Sequence, residues 1–423
     1  MNWVETIVQK HNEFESPLNF WRWAALASIS AVVKDNVYLD LHMFNLYPNI
    51  YVMFHADSGL KKGPPVNVAK RLVKAVNNTR IISGRSSIQG ILKELATTVS
   101  QPGGNVIKNA VAFICSSELS SSIVEDKVAT TILTDLYDRS YNVGEWRSLL
   151  KMESFDLKDP TITMLTATNE SHSSDFFTRK DISGGYFART FIIHESSENR
   201  SNSLLVGPKE PIDYDKLSVY LKDLAKLKGK FISLGSRTQS DHHTITIKNR
   251  YTGEEEFFTE AGAIYEDWYH SFKEILLRVK DPTGTLNRFG ASVLKVAMLY
   301  SLARAPHLEI DSTSMEEAIK TCEILVGNIR KVTVGKTGDE GTNAIRKTIL
   351  LQELMERDNH AISRTQLNKK YWVQGNVNEW DECAISFEAA GLIRIETVGN
   401  QVVYKMTEDS VAEMTKFFEG KSK

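Results

Sequence analysis

The sequence predicts an α/β protein: a mainly parallel sheet covered by helices, then a helical region, then a small C-terminal unit. Three observations carry this. Between Val37 and Asn169, short β-rich runs alternate with helical patterns, as parallel strands with crossover helices require. Beyond residue 200 the dominant signal becomes long helices. Past a linker rich in glycine, three helical patterns precede two strands.

Composition bounds the rest. At 423 residues, 42% hydrophobic and 25% charged, the chain is an ordinary globular one with material for two or three cores. Its N-terminus lacks the zones of a signal peptide and no apolar run is long enough to span a bilayer, so a cytoplasmic protein with no membrane partner is expected. Cys115, Cys322 and Cys383 are far apart in apolar or helical contexts, which fits reduced, buried thiols. A net charge of -2 gives no global attraction to nucleic acid, so any such binding must come from local patches.

Residues 1–36 form a helical lead-in, with a helix over Ser16 to Lys34 capped by Ser16 and carrying Pro17 in its first turn. Residues 37–200 form the α/β core. Its strands are Tyr51 to Phe54, Arg80 to Ile82, Val111 to Cys115, Thr161 to Thr166 and Phe187 to His194, with helices near Val66 to Val76, Ile88 to Thr98 and Glu125 to Tyr137. Residues 201–334 hold a helix at Tyr214 to Leu227 and a hairpin of His243 to Lys248 with Glu255 to Phe258. Helices near Glu260 to Lys280, Asn287 to Ala303 and Ser314 to Val332 complete this region. A linker at 335–341 leads to residues 342–423: helices at Ala344 to Arg357, Ser363 to Tyr371 and Val377 to Ala390, then strands Ile393 to Thr397 and Gln401 to Met406. Three helices and a β-wing make a winged helix.

Between the first core strand and the next helix lies His55-Ala56-Asp57-Ser58-Gly59-Leu60-Lys61-Lys62-Gly63-Pro64. Strand, glycine-containing loop, lysine and helix is the layout of a phosphate-binding P-loop, in which backbone N–H groups and a lysine cradle the phosphates. Against G-x-x-x-x-G-K-[ST], Ala56 replaces the first glycine, Lys61 the second, and Gly63 the hydroxyl that binds magnesium. The alternative is an ordinary strand-to-helix turn. The strand Val111 to Cys115 ends in Ser116-Ser117-Glu118, where a Walker B strand would end in Asp-Glu. Glu118 takes the base position and Ser117 the aspartate position; a serine helix cap is the alternative. The strand from Thr161 ends in Asn169, which held between the two Walker motifs can orient an attacking water, or simply cap. Arg189 enters an apolar strand, where a buried cation needs a partner.

This order of motifs resembles the AAA+ ATPases. The later run of Leu286-Asn287-Arg288-Phe289, His307 to Asp311 and Met315 to Ile319 is similar to the helical lid of minichromosome-maintenance-type helicases, likewise followed by a winged helix. The nearest resemblance is to ATPases of phages and mobile elements, including self-loading replicative helicases of staphylococcal cassette elements, over roughly Ser16 to Met406. It implies an AAA+ P-loop NTPase core with helical lid and C-terminal winged helix, using ATP and Mg2+. Asp57, Ser58, Gly59, Leu60, Lys61, Lys62 and Gly63 would bind nucleotide, with Lys62 as the Walker A lysine. Glu118 would be the catalytic base and Asn169 sensor 1. Arg189 would be an arginine finger acting on a neighbouring subunit, and Arg288 the sensor 2 arginine. Gly63 and Ser117 depart from the pattern at the two positions that organise magnesium; Asp57 and the Ser116 and Ser117 hydroxyls are the available substitutes.

The resemblance also implies a homo-oligomeric ring, a hexamer, around single-stranded DNA, with cytoplasmic localisation in the host if phage-encoded. The pore hairpin would map to Tyr141 to Lys151, where Trp146 can stack on a base and Arg147 and Lys151 can neutralise phosphates; a structural hairpin with Trp146 between subunits is the alternative. The turn-rich Gln101 to Lys108 is a second, weaker pore element. In the winged helix, Glu379, Asp381 and Glu382 open the third helix and would repel phosphates, which favours docking, including to other replication proteins, over base readout. Three functions follow: a DNA helicase or translocase, an ATP-binding but hydrolytically weak assembly or loader protein, and a non-enzymatic DNA-binding scaffold.

Overall fold

The computed structural model describes residues 2–84, 86–96, 99–100, 106–107, 110–118, 128–138, 145–149, 154–169, 185–200, 209–250, 252–276, 284–333, 339–357, 359–371, 377–399 and 401–412. The chain divides into two units, Met1–Lys331 and Val332–Lys423. Among the described residues no helix is long and apolar enough to cross a membrane. Cys115, Cys322 and Cys383 are buried free thiols.

The first unit opens, within the expected helical lead-in and before the helix located there, with α1 (Trp3–Lys10), whose first turn is capped by the Asn2 side chain accepting from Val4 and Glu5 N–H. Helix α2 (Leu18–Val33) is buried over almost its whole length and packs on α1 and on the central elements. Its cap differs from expectation. Pro17 occupies the cap position without a side-chain bond, and the Ser16 hydroxyl instead donates to the Lys61 carbonyl at 2.7 Å. Two short strands follow, β1 (Val37–Asp40) and β2 (Asn45–Leu46), which pair with each other and, through β1, with Gly229–Lys230, outside the central sheet.

The central sheet has five strands, all parallel. In chain order the elements are β3 (Tyr51–Ala56), α3 (Gly63–Val76), β4 (Arg80–Ser83), α4 (Ile88–Ala96), the short pair β5 (Val99–Ser100) and β6 (Val106–Ile107), and β7 (Val111–Ser116). Then come α5 (Ala129–Tyr137), the hairpin β8 (Glu145–Leu149) and β9 (Ser154–Lys158), β10 (Thr161–Asn169) and β11 (Thr190–His194). Across the sheet the order is β11, β3, β10, β7, β4. Strands covered on both faces should be apolar without alternation, and every residue of β3 and all but the last of β10 are buried. The expected strand start at Phe187 is corrected: Phe187–Arg189 form a 3-10 turn. The Tyr186 carbonyl there accepts from both the Arg189 N–H and the Thr190 hydroxyl, which delays strand pairing to Thr190.

Helices α6 (Tyr214–Leu224), α7 (Glu260–Leu276), α8 (Phe289–Arg304) and α9 (Ser312–Thr333) complete this unit, with a three-stranded antiparallel sheet of Gly235–Ser236, Glu255–Phe258 and Ile245–Lys248.

The second unit has helices Asp339–Met355, Arg364–Lys370 and Val377–Ala389 and a three-stranded antiparallel sheet in which Ala361–Ser363 joins the two anticipated strands. The first helix begins inside the expected linker. Leu350, Leu354, Leu367, Trp380, Phe387 and Tyr404 form the core. The acidic third helix is less free than its sequence suggests. Arg346 donates to Glu379, and Asp381 accepts from Arg364 and from the Tyr404 hydroxyl, which leaves Glu382 exposed beside Ile385.

Candidate functional site

Ligands of parallel α/β sheets bind beyond the carboxyl ends of the strands. The loop Asp57 to Lys62 lies there, between β3 and α3. Two of its residues are left-handed, Gly59 at φ 102° and Lys61 at φ 46°. Lys61 thus takes a backbone conformation suited to the glycine it replaces, at a cost of about 1–2 kcal/mol for a non-glycine residue. It is held from two sides: Ser16 bonds its carbonyl, and the Glu15 carboxylate lies 3.6 Å from its ammonium. Because that ion pair is partly exposed and worth little, Lys61→Gly is expected to raise stability by about 1 kcal/mol in urea unfolding.

Helix α3 starts at Gly63 with Pro64 and Pro65 in its first turn, which suits a helix start but removes two backbone donors. The cationic group is Lys62. Its ammonium donates to the Ala56 carbonyl, the Asp57 carbonyl and Asn169 Oδ1, each at 2.7 Å. Burial pushes its pKa below the ordinary lysine value, against the opposing pull of the Asp57 and Glu118 carboxylates.

The register explains the Asn169 contact. Strand β10 runs between β3 and β7, with Asn169 opposite Ala56 and Thr166 opposite Ser116. Ser116 is engaged locally: its hydroxyl donates to the Glu118 carbonyl and accepts from the Glu118 N–H at 3.3 Å. Ser117 and Glu118 are exposed. A Cβ added at Gly63 would stand 3.8 Å from the Ser117 Cβ, so the two positions that depart from the metal-binding pattern face each other.

The residues fit a phosphate group through a buried lysine and a left-handed loop, while the helix start adds little because Pro64 and Pro65 have no N–H. They do not fit magnesium in the usual way, since a P-loop holds it with a hydroxyl and a carboxylate where Gly63 and Ser117 stand.

Arg189 and Arg288 lie elsewhere. Thr190 is opposite Tyr51, at the amino end of β3, so Arg189 sits about 16 Å along the strand from the loop. Its Nε donates to Asp138 Oδ2 at 2.8 Å, its Nη2 bonds the same oxygen, and its Nη1 donates to the Gly185 carbonyl at 2.9 Å. Arg288 Nη1 reaches that oxygen at 3.1 Å. The structure therefore gathers the Lys62 group at the carboxyl ends of the strands and the two arginines at the amino ends. Trp146 lies on β8 opposite Leu157 and is half-buried. Arg147 shares that strand, whereas Lys151, Gly144 and part of Gln101 to Lys108 lie outside the described residues.

Sequence reasoning missed Asp138 and Lys295. A lysine inside the apolar run of α8 is the signal that could have found the second. Lys295 is buried, donates to the Asn49 carbonyl at 2.9 Å and Asn49 Oδ1 at 2.7 Å, and lies 4.0 Å from the Tyr137 ring centroid. Burial pushes its pKa down to about 7, partly offset by Asp138. Below that pH the ammonium is buried at full desolvation cost. Above it the folded chain sheds the proton while the unfolded chain keeps it up to about 10. Stability is therefore expected to rise from pH 7 to 9 by on the order of 2 kcal/mol, and this rise should vanish in Lys295→Met, as measured by urea unfolding at each pH.

Compared with protein-family models and with curated protein sequences, the chain matches none.

Proposed function

We propose that this chain is an ATP-binding subunit of AAA+ type that assembles into a homo-oligomeric ring, a hexamer, and moves along single-stranded DNA in the replication of a phage or mobile element. The observation that carries this reading is the Lys62–Asn169 hydrogen bond, with Gly63 against Ser117. It brings the ends of β3, β7 and β10 together around the Lys62 ammonium. ATP bound there would supply a triphosphate whose charge Lys62 meets, while Asn169 would orient water and Glu118 would accept its proton. Arg189 and Arg288, at the opposite end of the strands from their own loop, suit action on a neighbouring subunit. The three-helix second unit with its β-sheet is read as the winged helix, an arm for protein docking. The half-buried Trp146 on the β8–β9 hairpin is the proposed DNA contact.

A second reading, an ATP-dependent assembly or loader protein with weak hydrolysis, is favoured specifically by the facing Gly63 and Ser117. The test is sedimentation of the full chain with and without ATP and labelled single-stranded DNA. ATP-dependent oligomers that bind DNA, with weaker DNA binding in Trp146→Ala, are expected. A chain that stays monomeric and DNA-free at saturating ATP sinks the ring reading.

A further inference from the structure

The Asp138 cluster lines a cleft of about 610 Å³ in the first unit, shared with Tyr265, Tyr269 and Lys295. Gly290 is required there, because a Cβ would lie 2.8 Å from the Tyr265 hydroxyl and the Tyr269 ring. Its absence lets the stacked pair Tyr265–Tyr269, with ring centroids 5.7 Å apart, close one wall. Into this cleft point two guanidinium groups that share a single carboxylate oxygen, Asp138 Oδ2. Asp135 and Asp138 both line the cleft with the two guanidinium groups and Lys295, and of the two carboxylates it is Asp138 that receives three arginine donor contacts on one oxygen.

Arginine forks match phosphate as well as carboxylate, and a phosphoryl group brings more charge and three acceptor oxygens in place of two. Arg189 is nearly buried, so its position is fixed, whereas the Arg288 side chain is 43% exposed and has room to follow a new acceptor. We propose that Asp138 is an internal stand-in for a phosphoryl group: in the lone chain it holds Arg189 and Arg288 in place, and an incoming phosphate takes both over. The identity of the donor, a nucleotide carried by a neighbouring copy, rests on the ring reading above; the exchange itself does not. Asp138 is thereby a positioning residue that keeps the arginines ordered yet inactive until a subunit docks.

The experiment uses full-length chain carrying Lys62→Ala, so that the loop does not compete, titrated with inorganic phosphate against chloride at matched ionic strength. Asp138→Asn in that background is expected to bind phosphate at least about tenfold more tightly than the same chain with Asp138, and a further Arg288→Ala to remove the gain. Equal affinities with and without Asp138→Asn overturn the proposal. If Asp138→Asn does not fold in chloride, a ligand that binds only the folded chain must rescue it, so folding restored by phosphate supports the proposal and failure of rescue overturns it. A gain in phosphate affinity alongside wild-type chain that neither binds ATP nor assembles supports the exchange and overturns the ring reading instead.

Discussion

Lys62→Ala is expected to lower ATP affinity by about two orders of magnitude while leaving the fold intact. The ammonium is buried and already spends its hydrogen bonds on the Ala56 and Asp57 carbonyls and Asn169 Oδ1. Those three oxygens stand at the ends of β3 and β10 and in the loop, and the Ala56 carbonyl is buried, so a stability loss of about 1–3 kcal/mol is expected while the chain stays folded. The loss in affinity is larger because a charge-assisted bond to phosphate in a partly desolvated site is worth about 3 kcal/mol, near a hundredfold. Equilibrium titration with a fluorescent ATP analogue, beside a thermal melt, checks both halves. Unchanged affinity in a folded variant would remove Lys62 from the site.

The second large effect is a gain. Gly63→Ser combined with Ser117→Asp is expected to raise magnesium-dependent ATP turnover at least about tenfold, with each single change giving little. The backbone at Gly63 is not left-handed, so a serine fits without strain, and its Cβ would meet Ser117 at ordinary contact distance. Together the two substitutions would restore the hydroxyl and carboxylate with which a P-loop holds magnesium. Phosphate release measured across magnesium concentrations decides between the two proposed functions. A wild-type chain that already turns over as fast as the double variant favours the motor and places metal binding on other groups, such as Asp57 and Glu118. A wild-type chain that binds ATP yet turns over only after the double change favours the assembly reading.

The sheet was legible because its strands are short apolar runs covered on both faces, and because glycine, proline and lysine after Ala56 mark a strand-to-helix turn. That Asn169 would come between the two loops was also readable, and the register of β10 with β3 and β7 realises it. Ser16 was not legible: a serine before a proline reads as a helix cap, and nothing local shows that its hydroxyl faces Lys61, 45 residues away. Arg189 was half legible. Its need for a partner followed from burial, but Asp138 lies 51 residues from Arg189 and 150 from Arg288, and such pairings carry no local pattern. The third strand of the second unit, Ala361–Ser363, is too short to give a period of its own.

ATP turnover of the full wild-type chain, with and without single-stranded DNA and on a sample whose oligomeric state is sized in the same buffer, separates a DNA-driven ring from an inert chain. Turnover stimulated by DNA is expected, from an oligomer that forms only with nucleotide. A chain that binds no ATP, shows no turnover and remains a monomer under those conditions is neither a motor nor an ATP-dependent assembly protein.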